Sequence, residues 1–175
     1  MTASKKYSLL VGGIYFLILL GIALFVRDLP DQPDAFKTTI HQLIETSTMG
    51  DPASFATAAI DIAENGWISI ANAWIFNLWP PGFMLLEAFI LALLGPNAPV
   101  ILALQVLAAG LFSIVLVSLY GILFIRISSI FAFALPLLIF AFPVARVFLL
   151  QPTGLSLGES FAIGFFLMFI LYALY

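Results

Sequence analysis

Long apolar runs dominate the chain, and one long polar segment at residues 27–81 interrupts them. The apolar runs that are candidates for crossing a membrane lie at 7–26, 98–125, 129–144 and 159–175. The first run holds 20 residues. A helix of that length, rising about 1.5 Å per residue, matches a hydrocarbon core of about 30 Å. The pattern predicts an all-α membrane protein with about four transmembrane helices and with amphipathic interfacial helices in a long first outer loop.

Within the polar segment, apolar residues recur at the three- and four-residue spacing of amphipathic helices. One such helix is predicted around Ile40, in the stretch AFKTTIHQLIE. A second should start at Asp51, because Asp is a favoured N-cap and Pro52 then loses no hydrogen bond. Gly66 suits its C-terminal stop. Its apolar face comprises Phe55, Ala59, Ile62 and Ala63, and its polar face comprises Thr57, Asp61 and Glu64. We expect this helix to lie on the membrane with its acids toward water.

Residues 82–94 (GFMLLEAFILALL) are apolar but number only 13, which is short for a transmembrane helix. Tryptophans at 67, 74 and 79 precede them, and tryptophan favours the headgroup level of a bilayer. An interfacial 82–94 puts Arg126 on the cytoplasmic side, as the positive-inside rule prefers. A crossing 82–94 would put Arg126 outside and Arg146 inside. We favour a short interfacial or re-entrant helix. A crossing helix stays open as the alternative, because each arrangement places one arginine inside and one outside.

The two last apolar runs each carry an irregular feature. Pro136 lies within 129–144 and is expected to kink that helix. The run 159–175 stays apolar to its last residue, without the polar flank that normally follows a membrane helix. We therefore expect the protein to continue past Tyr175, with the present chain as a fragment.

Composition agrees with a membrane location and excludes several kinds of site. Hydrophobic residues make up 63% of the chain and the mean hydropathy is +1.19, far above the values of soluble domains. The chain has no cysteine and a single histidine, His41. Disulfides, thiolate metal sites and multi-histidine metal sites are thereby excluded. No Lys/Arg-rich block indicates nucleic-acid binding.

Charge gives the expected orientation. Lys5 and Lys6 precede the first apolar run, so the N-terminus is predicted to be cytoplasmic. Residues 27–81 hold two basic and seven acidic residues, a net charge of −5, and the remainder holds four basic and two acidic residues. The acidic segment should therefore lie outside, in a multi-pass protein of the cell (inner) membrane. A cleaved signal peptide is the competing interpretation of 7–26, but no A-x-A-like cleavage site follows that run.

Three motifs follow one another in a characteristic order. GDPASFATAAIDIAENGW comes after the first apolar run, WPPGFMLLEAFILALLG comes next, and an acid opens the last run. Together they resemble the N-terminal part of GT-C-type integral membrane glycosyltransferases, close to protein O-mannosyltransferases and lipid A aminoarabinose transferases. In that family an outer-loop Asp is followed by an aromatic residue about four positions on, here Asp51 and Phe55. An acid also begins a later helix, here Glu159. The resemblance covers nearly the whole chain but only the first third or so of a typical member.

The resemblance implies sugar transfer from a polyprenyl-phosphate carrier on the extracytoplasmic face. Asp51 would be the base that accepts the proton of the acceptor hydroxyl. Glu159 would orient the acceptor or hold a cation. The simpler alternative for both acids is a favourable position at the start of a helix. No cofactor is predicted apart from an optional divalent cation.

Further substrate contacts are implied at four positions. The leaving lipid phosphate needs a cationic group, for which Arg146 is the candidate, with a snorkelling membrane flank as the alternative. Glu87 is an acid at membrane depth, where acids are commonly functional, although in an interfacial helix it could face water. Phe55 occupies a position where many family members have Tyr, and Trp79 one where they have a basic residue. Pro52 stands where many have a second acid, which weakens a metal site.

The predicted partners follow from this resemblance. They are a polyprenyl-phosphate-linked sugar and membrane lipid, and the chain should be too short to act alone. A second hypothesis is a small non-catalytic subunit that packs against a larger membrane complex. A transporter fragment is the third, and it would show broken or charged helices in repeated halves.

Overall fold

The fold is that of a computed structural model, which describes residues 3–28, 34–46, 50–78, 81–150 and 159–174. Side chains are described for 7–28, 34–45, 53–78, 81–150 and 161–173. Within these ranges the regular elements are helices, and no β-strand occurs. The α-helices are α1 (Ala3–Phe25), α2 (Ile40–Thr46), α3 (Gly50–Asn65), α4 (Trp74–Leu78), α5 (Gly82–Leu94), α6 (Val100–Phe124), α7 (Ser129–Leu137), α8 (Pro143–Leu150) and α9 (Glu159–Leu174). A 3₁₀ helix, Leu138–Ala141, joins α7 to α8.

Two of the described helices are long and apolar enough to cross a membrane, α6 and the Tyr7–Phe25 part of α1. They pack against each other in antiparallel orientation. Gln105 Nε2, near the start of α6, donates to the carbonyl of Ala23, near the end of α1, at 3.3 Å. Nearer the other ends, Gly12 faces the side chain of Val117. The end of this pair where α1 stops and α6 starts is called the Arg27 end below.

The coarser part of the fold prediction is confirmed: the described elements are helical, and two can span a membrane. A third candidate arises only if the bent pair formed by 129–141 and α8 counts as one span. Helix α9 has 16 residues and α5 has 13, so neither reaches the length of a normal transmembrane helix. The count of four spans and the interfacial placement of α5 stay predictions.

The run predicted at 129–144 returns along the antiparallel pair. The ring of Phe133 in α7 stacks on Tyr15 of α1 at 4.7 Å between ring centroids. Farther along, Phe140 of the 3₁₀ helix meets Phe112 of α6 edge-on at 6.2 Å. The Tyr15 hydroxyl also donates to the Phe133 carbonyl at 2.9 Å. The chain therefore runs from the far end back to the Arg27 end.

The sharp bend in this run lies later than the sequence predicted. Pro136 stays inside α7, whereas the axis turns by 91° between the 3₁₀ helix and α8. Phe142 stands at the turn with an extended backbone, φ −88° and ψ 128°. It precedes Pro143, and a residue before proline is pushed out of the helical region by the proline ring. The kink expected at Pro136 itself stays a prediction.

The buried apolar residues form two clusters. The first cluster joins α2, α3 and α5 to the start of α6 and to Phe161 of α9. The second joins α1, the middle of α6, the run 133–140 and α8. Helices α2, α3 and α5 are therefore attached to the long helices at the Arg27 end. The predicted C-terminal stop of α3 is confirmed, since Gly66 has φ +76° and its N–H donates to the Ile62 carbonyl at 2.9 Å.

Substituting Gly164 tests the packing of α9 on α6. A Cβ at Gly164 would overlap the Leu111 side chain, so Gly164→Val should lower the stability by about 1–3 kcal/mol, as overpacking does. Thermal unfolding of the purified protein in detergent measures the effect. Gly121→Val is the matched control, because a Cβ there meets nothing within 4 Å. Equal losses in the two variants would contradict the described contact.

Candidate functional site

Phe83 of α5 contacts an aromatic residue of α3 and an aromatic residue of α9. It lies 6.1 Å from Phe55 of α3 and 6.1 Å from Phe161 of α9, measured between ring centroids. Phe55 follows Asp51 by about one helical turn, and Phe161 follows Glu159 by two positions. Phe83 therefore links the two helices that carry the predicted catalytic acids, which are far apart in sequence.

The side chains of Asp51 and Glu159 lie outside the described residues, as does the whole of Trp79. Helix α3 begins at Gly50, so Asp51 stands in the first turn rather than before it. This differs by one residue from the predicted start, within the usual uncertainty of helix ends. An acid in a first turn interacts favourably with the positive end of the helix dipole. Glu159 is the first residue of α9 and has the same electrostatic advantage.

Phe55 holds this arrangement together. Its side chain is 7% exposed and belongs to the first cluster. A residue so covered offers little surface to a substrate. Phe55 therefore positions the first turn of α3 on α5, and its predicted substrate contact is not supported.

A cleft of about 250 Å³ opens at the Arg27 end. At about 30 Å³ per water molecule, it has room for roughly eight waters or a group of similar size. Its lining comprises Ala23, Leu24, Phe25, Arg27, Asp34, Ala35, Phe36 and Gln105. Asp34 accepts a hydrogen bond from the Phe36 N–H at 3.0 Å and pairs with Lys37 at 3.7 Å. In the part of the chain that the structure describes, no carboxylate forms an ion pair with Arg27. The cleft thus combines apolar walls with one basic residue, Arg27, and one acidic residue, Asp34.

Arg146 is engaged in a different role from the predicted one. Its Nε and Nη2 donate to the two carboxylate oxygens of Asp28 at 2.9 and 2.6 Å. Its Nη1 donates to the carbonyls of Phe140 and Ala141, both at 2.9 Å. Four of the five guanidinium N–H groups are thus used, and the Arg146 and Asp28 side chains are only 15% and 6% exposed. Arg146 fastens the 3₁₀ helix and α8 to the end of α1. It does not present a free charge for a lipid phosphate, and it is not a snorkelling flank.

Glu87 is buried in the interior of the protein. It is 1% exposed, and its Oε2 has no hydrogen-bond partner among the described residues. Burial raises the pKa of this carboxyl to about 8, because an ionised acid loses its hydration there. The interpretation that Glu87 faces water is therefore wrong. Direct contact with a substrate would need an opening beside it, and neither described cavity is lined by Glu87.

Asp61 has a structural role that the sequence analysis missed. It accepts hydrogen bonds from the Ser69 N–H at 2.8 Å, from Asn72 Nδ2 at 3.0 Å and from Asn65 Nδ2 at 3.3 Å. Bonds from Ser69 and Asn72 hold the pKa of Asp61 below its usual range. Asp61 therefore fixes the turn after α3 instead of only facing water, whereas Glu64 is exposed as predicted. The available signal was the cluster of turn residues in NGWISIAN, whose N–H and amide groups need an acceptor.

The described residues contain no group of three or more acids and histidines arranged to hold a metal ion. The predicted optional cation depends on Asp51 and Glu159, whose side chains are outside that description. The cleft at the Arg27 end has room for an amphipathic group whose polar part reaches Arg27.

Comparisons with known proteins add no assignment. No family model, no curated protein and no solved structure matches the chain. The functional argument therefore rests on the geometry at the Arg27 end.

Proposed function

We propose that the chain is the N-terminal membrane part of a GT-C-type glycosyltransferase, which uses a polyprenyl-phosphate-linked sugar on the extracytoplasmic face. The observation that carries this proposal is the packing of Phe55 of α3 and Phe161 of α9 on Phe83 of α5. It supports a common site for two acids, Asp51 and Glu159, which stand at the starts of those two helices. A sugar-transfer site needs such acids near a lipid-accessible surface.

The antiparallel arrangement of α1 and α6 supports the outer placement of this site. Because α1 stops and α6 starts at the same end, the chain between them makes no net crossing of a membrane. A single crossing by α5 alone would violate that arrangement, so an interfacial α5 is favoured. With Lys5 and Lys6 on the cytoplasmic side, the Arg27 end would be extracytoplasmic.

The exposed face of α5 fits a position against lipid. Leu85, Phe89 and Leu93 recur at one-turn spacing and are 41%, 61% and 65% exposed. The opposite face packs on α3 and α6. An apolar stripe of this kind is unfavourable in water but favourable against acyl chains. In this proposal α1, α6, the run 129–141 and α9 are the four membrane helices.

The chemical step assigns one role to each part of the site. As the acceptor oxygen forms a bond to the anomeric carbon, its proton passes to the Asp51 carboxylate. The bond from that carbon to the carrier phosphate breaks, and the phosphate leaves with the electron pair and inversion at carbon. Glu159 orients the acceptor. Since Arg146 is paired with Asp28, Arg27 is the better candidate to neutralise the phosphate, with Phe36 among the apolar walls for the first isoprenoid units.

Binding of the donor lipid tests this function directly. The purified full chain in lipid nanodiscs should bind a radiolabelled polyprenyl-phosphate-linked sugar saturably, and should bind the corresponding polyprenyl alcohol far more weakly. Arg27→Gln should raise the Kd by roughly 10- to 100-fold, the usual effect of losing a charge-assisted hydrogen bond. Arg126→Gln is the matched control, because Arg126 is exposed at the far end of α6 and should leave the Kd unchanged. Saturable binding that is insensitive to Arg27 would remove the phosphate assignment. No saturable binding would overturn the proposed function.

A second candidate, a non-catalytic subunit of a membrane complex, is favoured by a groove between α1 and α6. The groove has a volume of about 430 Å³. Its lining comprises Ser8, Leu9, Gly12, Gly13, Phe16, Ser113, Ile114, Val117 and Ser118. Small residues allow another membrane helix to approach closely, and only 17% of the apolar window of α1 is buried. A folded chain that binds no donor lipid but co-purifies in a fixed ratio with a larger membrane protein would favour this candidate.

A further inference from the structure

The stretch between α3 and α5 exposes large apolar side chains without any charge among them. Residues 66–78, GWISIANAWIFNL, contain no Asp, Glu, Lys or Arg, and they are called the tryptophan loop below. Ile70 is 98% exposed, Trp67 is 63% exposed and Trp74 is 49% exposed. Such a group of exposed apolar residues is uncommon on a surface that faces only water.

Hydrogen bonds on the side of the loop that faces α3 fix its shape. The Asp61 carboxylate accepts the Ser69 N–H and an Asn72 amide N–H. Within the turn, the Asn72 N–H donates to the Ser69 carbonyl at 3.1 Å, and the Ala73 N–H donates to the Ile70 carbonyl at 3.4 Å. Ile70 therefore stands at the tip of a hydrogen-bonded turn whose polar groups point back to α3.

Two inward residues fix the position of the loop on the protein. Ile68 and Ile75 are 9% and 1% exposed and belong to the first cluster, together with Val100 and Ile101. Those two residues begin the apolar run of α6, so the loop and the start of α6 share one buried cluster. The ring of Trp67 also meets Phe76 edge-on at 5.9 Å. The exposed tip is thus carried on a buried base.

We propose that the tryptophan loop inserts into the headgroup layer of the bilayer at the Arg27 end and anchors α3 there. Tryptophan prefers the headgroup level, and an isoleucine tip can reach the acyl boundary about 5–10 Å deep, as in interfacial anchors. The buried cluster that the loop shares with the start of α6, the exposed tryptophans and the absence of charge favour lipid over a soluble protein partner as the occupant. The proposal holds whether or not the chain transfers sugar.

The cysteine-free sequence allows a direct depth measurement. Ile70→Cys carrying a nitroxide label, in the full chain in phosphatidylcholine/phosphatidylglycerol vesicles, should be more accessible to oxygen than to a water-soluble nickel chelate. Glu64→Cys is the control, because Glu64 is exposed on the neighbouring helix and should show the opposite preference. A label at 70 that behaves like the label at 64 would overturn the proposal, and so would a label that both reagents fail to reach, which would indicate a protein contact.

A variant of Asp61 tests whether its hydrogen bonds hold the tryptophan loop in position. In Asp61→Ala, no side-chain oxygen remains to accept the Ser69 and Asn72 hydrogen bonds. The label at 70 should become more mobile and at least severalfold more accessible to the nickel chelate. Glu64→Ala, on the same helix, should leave both quantities unchanged. An unchanged label in Asp61→Ala would remove Asp61 from the proposal while the depth measurement still decides the insertion.

Discussion

In a full-length form of the proposed glycosyltransferase, Asp51→Asn is expected to lower the rate of sugar transfer by about 10²- to 10⁴-fold, the usual contribution of a general base. An amide cannot take up the proton of an acceptor hydroxyl near neutral pH. It is nearly isosteric with the acid and is equally tolerated at the start of a helix. The loss of the favourable charge near the α3 dipole should cost only about 0.3–1 kcal/mol. Initial rates of transfer from a polyprenyl-phosphate-linked sugar, measured in proteoliposomes together with thermal unfolding, separate the two effects.

The matched control for this substitution is Glu64→Gln. It removes an acid from the same helix, but Glu64 is exposed near the opposite end of α3. Its rate should stay close to that of the unchanged protein. If Asp51→Asn also kept its full rate, Asp51 would be a helix-start residue only. The contacts of Phe55 and Phe161 with Phe83 would then serve packing only.

The long helices could be predicted because their signal is local. A continuous apolar run indicates both the type and the length of a membrane helix. Helix α6 lies within two residues of 98–125 at both ends, and α1 ends one residue before the predicted end of 7–26 but begins four residues earlier, at Ala3. The stop of α3 at Gly66 was equally local, since a left-handed residue after a helix favours glycine. The pairing of α1 with α6 was not readable in this way. It depends on contacts such as that of Gln105 with Ala23, between residues far apart in the chain.

The sharp bend before α8 was not predicted from the sequence, which suggested a kink only at Pro136. Both Pro136 and Pro143 were visible in the sequence. A proline within a helix removes one hydrogen bond but can be accommodated, whereas the residue before a proline is driven to an extended conformation. The extended Phe142 shows that the second effect produced the sharp turn. Arg146 then donates to the carbonyls of Phe140 and Ala141 at the end of the 3₁₀ helix. No spacing rule in the sequence indicates that contact.

The acidic residues show most clearly which environments could not be predicted from the sequence. Glu87 sits in an apolar helix, and only the packing of α5 against α3 and α6 decides that it faces the interior. Its position in the helix assigned Asp61 to the water-facing side of α3. The turn that follows α3, however, supplies hydrogen-bond donors from Ser69 and Asn72. In both cases the deciding partner comes from another element, so the hydrophobic pattern of the helix alone could not identify it. The pattern did place Asp51 and Glu159 at helix starts, which is the part of the site it could supply.

Breaking the pair between Asp28 and Arg146 is expected to cause a large loss of stability. Either Asp28→Asn or Arg146→Gln leaves the other ion largely buried without its counter-charge, which is more costly than the loss of a surface ion pair. We expect the apparent Tm in detergent to fall by roughly 5–15 °C for either variant. Arg146→Gln should show the larger fall, because the carbonyls of Phe140 and Ala141 also lose their donor.

The double variant distinguishes a pair from two independent contributions. When both charges are removed, no buried ion remains alone, so Asp28→Asn combined with Arg146→Gln should be clearly more stable than the sum of the two single losses predicts. Lys37→Gln serves as the control, because the Lys37–Asp34 pair is exposed, at 82% and 39%, and such pairs contribute little. Strictly additive losses would show that the two residues act separately. The orientation of α8 would then be set by the extended backbone before Pro143 rather than by the ion pair of Arg146 with Asp28.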